Sequence, residues 1–448
     1  MRYHPFGFVT SACLCGALLA ACAGGGSSAA RPAGILPANA NSAGAPAPRG
    51  GVRRTLSVPL CSGLGTDAFV GGGVSNVASG HSDGVLAGST NEVCDSFSSI
   101  AGGEQNSISS SANTSDSSFI GAGFQNTITG GAQTGFIGGG SNNALTGGYS
   151  AIVSGQYNQN AGTNAMLGAG EANKITSSVI DGVIGGGSNN TLSATYGVIA
   201  GGIKNNVSGE GGYIAAGGYN TLSGIGAVID GGFNNAAAGD YGTIPGGYVN
   251  SAGGIYSFAA GARASAAQTG TFVWSDGSDG DTILSSTRAY QFLARASGGY
   301  TLWTNAASTV GATLAPGSGT WASASDRNMK TDVVRVDDAA VLDKIASLPI
   351  NRWSYITERG VRHVGPMAQD FYAAFGVGAD DKHITSIDED GVALAAIKAL
   401  HARVGVLDAE NVSLRAQLAA LKTSQARHDL LVDRELQRLS VVSAPPEH

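Results

Sequence analysis

Charge is scarce in this chain: 13% of its residues are Asp, Glu, Lys or Arg, and the net charge is −7. That balance argues against nucleic acid as the main partner. Long apolar runs are also lacking. Beyond the run from Phe6 to Ala21, no stretch reaches the ~18 apolar residues that a membrane helix needs. No G-x-x-x-x-G-K-[ST] occurs, which removes that phosphate loop, and most repeat units lack the aspartate that calcium-binding repeats use. Cysteine occurs five times, at 13, 15, 22, 61 and 94. What is abundant is glycine, 70 of 448 residues, in a chain whose 42% apolar fraction is rich in alanine. Such a composition predicts a thin, regular core, and the length suggests roughly three domains.

The first residues read as a targeting segment, with Arg2 ahead of the apolar run and "LLAAC" at its end. Leu19-Ala20-Ala21 before Cys22 resembles a bacterial lipoprotein signal. The resemblance implies that Cys22 is lipidated and becomes the mature N-terminus. Buried acyl chains contribute about 0.8 kcal/mol per CH₂ to anchoring. Ala23 in place of aspartate points to the outer membrane. Residues 22–55 are rich in Ala, Gly, Ser and Pro and are expected to be a disordered tether. In an exported protein Cys61 and Cys94 could close an internal disulfide, worth roughly 3–4 kcal/mol by loop closure. Two free thiols or an intermolecular bridge are the alternatives.

The middle of the chain is periodic. Asparagines recur at 76, 91, 106, 126, 142, 158, 173, 189, 205, 220, 234 and 250, with glycine three residues earlier and a large apolar residue six residues earlier each time. A unit of about 15 residues cannot close a core alone, so units must stack. With two short strands per unit the expected fold class is mainly β, a parallel β-roll or β-helix solenoid over 56–264. Glycine supplies positive φ and asparagine a stackable amide. The stretch "FIGGGSNNALTGGYSAIVSGQYNQ" resembles the head repeats of trimeric autotransporter adhesins. That resemblance implies a trimeric head and a surface role; it does not identify a ligand, and a host-surface molecule or glycan is the candidate partner of the head. Where those adhesins carry a membrane β-barrel this chain carries a helix, so the lipid is expected to be the anchor.

Residues 265–324 read as a β connector. Trp274, Phe292, Trp303 and Trp321 are expected to pack, a sugar platform being the alternative. "SDGSDGD" at 275–281 reads as a solvated loop, with one Ca²⁺ as the alternative. From Ser325 the glycine grammar stops. Val341, Leu342, Ile345 and Leu348 lie at helical spacing before Pro349, "RWSYI" reads as a strand, and "GPMAQDFYAAFGV" as a helix closed by Gly376. Over 397–440 a long helix is expected, with Ile397, Leu400, Val404, Leu407, Asn411, Leu414, Leu418 and Leu421 in heptad spacing. Copies of the chain should therefore wind together. Alone this heptad favours two strands, whereas the head resemblance favours three.

Four blocks, "SDRNMKTD" (325–332), "LDKIASLPINRWSY" (342–355), "RHVGPMAQD" (362–370) and "DEDGVALAAIKAL" (388–400), resemble the self-cleaving intramolecular chaperone of phage endosialidase tailspikes, the peptidase S74 family. The resemblance implies an α+β chaperone domain over 325–396. Its nucleophile would be Ser325, its base Lys330, and the scissile bond would join Ala324 to Ser325. Asp326, His363 and Gln369 are candidates for support, with turn capping for Asp326 and packing for His363 as the alternatives. A serine–lysine pair needs no metal or cofactor. A lysine is a base only when neutral, and burial favours that form. Contact between copies is the expected source of that burial. The expected function is a trimeric, lipid-anchored surface fibre matured by self-cleavage. A phage-derived receptor-binding fibre and a purely structural protein with an inactive dyad are the alternatives.

Overall fold

The computed structural model describes residues 63–109 and 117–442. The signal, Cys22, the tether and Cys61 lie outside the described residues. By contact the chain divides into two units, the first ending at Ser297 and the second starting at Gly298.

The first unit is a parallel β-solenoid of two sheets. Fifteen strands, from Phe69–Val70 to Phe292–Arg295, form one sheet and fourteen, from Val77–Ala78 to Leu284–Ser285, form the other. The chain alternates between them, and each strand pairs with the equivalent strand one coil away, as Val183↔Val198 and Thr191↔Asn206. Most strands have two residues, because period-two alternation places one side chain inside and one outside before the chain must turn. The inner residues, among them Ile184, Leu192 and Ile199, are fully buried and form one continuous file of apolar side chains. Burying each contributes about 1.5–3 kcal/mol. The two sheets run past residue 264, where the repeat grammar fades, and end at Arg295 and Ser285.

The inner file corrects the sequence register in three coils. Ile137, Ile184 and Ile229 are buried, whereas Phe136 is 41% exposed and Val183 and Val228 are half-buried. The stacked asparagines are accordingly Asn143, Asn190 and Asn235, the second members of Asn-Asn doublets, and not Asn142, Asn189 and Asn234. The first members adopt left-handed φ at the corner, between +54° and +59°. Asparagine tolerates both jobs, so the doublet is ambiguous in sequence.

The two corners of each coil differ. At the asparagine corner, Asn190 donates its amide N–H and Nδ2 to Asn173 Oδ1 at 3.0 Å, and Nδ2 also to the Gly186 and Gly202 carbonyls at 3.1 and 2.9 Å. Its own Oδ1 accepts from Asn205 N at 3.0 Å. Glycine is required beside this rung, since a Cβ on Gly187 at φ +92° would lie 2.1 Å from the Gly202 carbonyl oxygen. From Val85 to Ala252 this corner always separates buried residues by eight positions, as Ile184 to Leu192 and Ile199 to Val207. The return corner is variable: seven positions from Leu192 to Ile199, nine from Ile175 to Ile184, twelve from Ile108 to Ile120.

At the last coils two arginines pair with the three aspartates of the acidic loop. Arg295 pairs with Asp276 and Asp279, and Arg263 with Asp281. Hydrogen bonds from Ser297 and Ser278 hold the Asp276 carboxyl well below the usual carboxylate range.

The second unit has a three-stranded antiparallel sheet (Tyr300–Trp303, Gly311–Leu314, Trp321–Ser323), a short hairpin pairing Asn351–Trp353 with His363–Gly365, and three helices. These are α1 (Asp338–Ser347), α2 (Ala368–Phe375) and the 57-residue α3 (Ser386–Val442). Asp337 caps α1 through Ala339 N and Ala340 N, and left-handed Gly376 closes α2. α1 packs on α3, with Lys398 paired to Asp338. Among the described residues of this unit only Val341, Phe371, Ala396 and Ala399 are buried apolar side chains. Trp303 and Trp321 do not pack as expected from the sequence but are about half exposed, at 51% and 54%, and Phe292 of the first unit is 73% exposed. Trp274 stands at the border, 36% exposed. The heptad residues Ile397 to Leu421 are all exposed. Among the described residues no helix is long and apolar enough to cross a membrane.

Candidate functional site: a serine–lysine pair after a strand end

Strand Trp321–Ser323 is the edge of the antiparallel sheet, and Ala324 continues its pairing by donating N–H to Gly311 O at 3.3 Å. The chain then leaves the sheet at Ser325 and folds back through a single 3₁₀ turn, Arg327–Met329. Asp326 starts that turn, its carboxylate accepting from Asn328 N at 2.9 Å and Asn328 Nδ2 at 3.1 Å. The cap satisfies an N–H that a short turn would otherwise leave open. Lys330 emerges in extended conformation after the turn, and its Nζ donates to Ser325 Oγ at 2.7 Å. The five-residue spacing thus becomes contact because one tight turn lies between the two side chains.

Both members of the pair are exposed, as is Asp326. Asp326 bonds the turn and not Lys330, so it acts here as a cap. His363 lies in a separate aromatic cluster, stacked on Trp353 at 4.7 Å and edge-on to Tyr355 at 5.6 Å, with Glu358 Oε2 3.6 Å from its Nε2. That separation is too long for a hydrogen bond, and both His363 Nε2 and Trp353 Nε1 are shielded without such a partner. Gln369 is exposed on the first turn of α2. Among the described residues no hydrogen bond or ion pair joins His363 or Gln369 to Ser325 or Lys330. Cys94 is disulfide-bonded, and Cys61 lies outside the described residues.

Sequence reasoning missed Gly311, whose carbonyl accepts from Ala324 N, and Asn328, which donates to the Asp326 carboxylate. Neither carries a signal of its own: one acts through its carbonyl, the other through a turn that only the fold reveals.

What this geometry can do is limited and definite. The hydroxyl belongs to the residue immediately after the Ala324 carbonyl, with the Lys330 amine in hydrogen-bond contact, so the parts for nucleophile and base are adjacent. Among curated proteins no relative matches the chain. Residues 325–377 match the family described as chaperone of endosialidase, peptidase S74. The match begins at Ser325 itself and takes in the turn, α1, the hairpin and α2. Residues 325–377 are therefore a chaperone-of-endosialidase domain, carried by this chain behind a parallel β-solenoid.

Proposed function

We propose that this protein is a surface fibre whose C-terminal module aligns three copies of the chain and then cuts itself away between Ala324 and Ser325. The observation that carries the reading is the 2.7 Å contact between Lys330 Nζ and Ser325 Oγ directly after that bond. In the reaction, Lys330 in its neutral form takes the hydroxyl proton of Ser325. The freed oxygen attacks the Ala324 carbonyl carbon, the C–N bond breaks, and the proton passes to the departing Ser325 nitrogen. Water then hydrolyses the resulting ester, leaving a carboxylate on Ala324 and a free amine and hydroxyl on Ser325. Tethering the nucleophile beside its target supplies much of the rate.

Assembly supplies what the single chain lacks. The pair is exposed, and the second unit buries four apolar side chains among its described residues while its heptad seam faces solvent. Packed copies would cover the seam, dry the pair and favour the neutral amine. The head would stay on the outer membrane through a lipid at Cys22, with adhesion to a host surface or glycan as its outward role.

The test is expression of the wild type beside Ser325→Ala and Lys330→Ala. Wild type is expected to give a fragment beginning at Ser325 on a denaturing gel and by mass analysis, and both variants to stay whole. Intact wild-type chain, or cleavage that survives both substitutions, rules the mechanism out.

A further inference from the structure

Among the described residues no three His, Cys, Asp or Glu side chains of one chain are grouped to hold a metal ion. The heptad of α3 offers what one chain lacks. Every second seam position is a leucine, at Leu400, Leu407, Leu414 and Leu421, and the next in that series is His428. Val432 follows four residues later, so the seam runs on past the histidine. In the single chain His428 is exposed, as are these leucines and Val432. In parallel copies wound together, the same seam residue of each copy meets at one height on the shared axis. Three His428 imidazoles then stand where the preceding layers have leucine. A neutral imidazole carries one N–H donor and one bare nitrogen. Gln425 lies one turn earlier on the same seam, where its amide oxygen can accept the N–H. The bare nitrogens face one another across the axis and cannot bond among themselves. Burying them unmet is costly, and one divalent ion between them satisfies all three.

We infer that the His428 side chains of three copies form a binding site for one divalent transition-metal ion of the Zn²⁺ type. The inference rests on the three-copy reading above and adds to it a ligand. The donor set selects the class of ion. Imidazole nitrogen suits zinc and its neighbours, whereas Mg²⁺ and Ca²⁺ take oxygen. Zinc bonds nitrogen at about 2.0–2.1 Å and takes four ligands, so three imidazoles hold it and leave one position for water. Two copies would supply only two nitrogens. Glu435, the next residue in the same series, lies two turns on, roughly 10.5 Å along the helix, and cannot reach the same ion. Without metal the histidine layer is a polar break in the seam. With metal it ties the three helices together beyond the leucines, in the part of the module farthest along the chain from the Ala324–Ser325 bond.

The experiment uses full-length chain carrying Ser325→Ala, which keeps the module attached, purified without a polyhistidine tag and stripped of metal with EDTA. Zinc chloride is added, unbound ion is removed by gel filtration, and bound zinc is counted by elemental mass spectrometry. Helix melting is followed by circular dichroism with and without zinc, and the mass of the detergent-solubilised protein is measured in parallel. His428→Leu continues the leucine series and so keeps the seam apolar. His401→Ala, on α3 but off the seam, is the control. One zinc ion per three chains is expected in the parent and in His401→Ala, and none in His428→Leu. Zinc should raise the melting midpoint of the helix by several degrees only where His428 is kept. A three-chain mass with no zinc bound, or with zinc held equally by His428→Leu, overturns the site and leaves assembly standing. A one-chain or two-chain mass overturns the three-copy reading and the site with it.

Discussion

Single residues hold the solenoid at its asparagine corner. Asn190 is fully buried and engages its neighbours one coil above and below, whereas Asn189 is an exposed corner residue at φ +56°. Asn190→Ala removes hydrogen bonds and leaves the Gly186 and Gly202 carbonyls and Asn173 Oδ1 short of a donor, so a loss of about 2–4 kcal/mol is expected. Asn189→Gly should stay within about 0.5 kcal/mol, since glycine adopts that φ freely. Urea denaturation of the two variants measures the difference. A larger loss at Asn189 than at Asn190 would mean that the doublet is assigned the wrong way round. A second residue-scale test concerns Asp83. Burial is the main cause that pushes its carboxyl up to about 6, with Asp95 adding to it, against opposing hydrogen bonds from the N–H groups of Ser98 and Gly80. A raised folded-state pKa means that the folded chain binds the proton more tightly than the unfolded one. This contribution is therefore present below about pH 4 and is lost as pH rises through about 6. The melting temperature of the first coils should rise on going from pH 7 to pH 5, and Asp83→Asn should flatten that slope.

At the scale of elements, the long helix carries one clear defect. Gly405 lies one residue beyond the seam position Val404, and a Cβ there meets nothing within 4 Å. In a heptad that position faces outward, so Gly405→Ala should stabilise α3 by about 1 kcal/mol per chain, read from the thermal midpoint of the C-terminal module. A destabilised variant would place Gly405 in a contact between copies. The elements also show what could be read from sequence. Repetition made the solenoid legible, because each error in one unit is checked against eleven others. The helices α1 and α2 were legible from spacing and their breakers, Pro349 and Gly376. Trp303 and Trp321 were misread, because aromatic residues in short strands look like core whether the rest of that core comes from the same chain or from another. The Ser325–Lys330 contact depends on the turn at Arg327–Met329, and spacing alone predicts only that the two could meet.

For the molecule as a whole, the two units pose opposite folding problems. The solenoid pairs strands of near-identical sequence, so a slip of one coil costs little locally, and register needs outside help. The second unit carries the exposed heptad and few buried side chains. Alignment by the second unit followed by its removal would leave a head that cannot easily find its register again. Cleaved protein should consequently unfold and fail to refold in a denaturant cycle, while Ser325→Ala chain, which keeps the module, should recover. Equal recovery of both would deny the module a role in folding.

The inequality of the solenoid's two corners has a practical outcome. Between Asn106 and Asn126 the chain spends twenty residues where most coils spend fifteen, yet Asn126 N still reaches Asn106 Oδ1 at 3.0 Å. The extra residues fall between Ile108 and Ile120 in the sequence, and the rung from Asn106 to Asn126 is kept. Peptides grafted between Ile108 and Ile120, or between Ile175 and Ile184, would thus be displayed along one edge of the rod at chosen heights. The scaffold tolerates cargo there because its ruler is kept on the opposite edge.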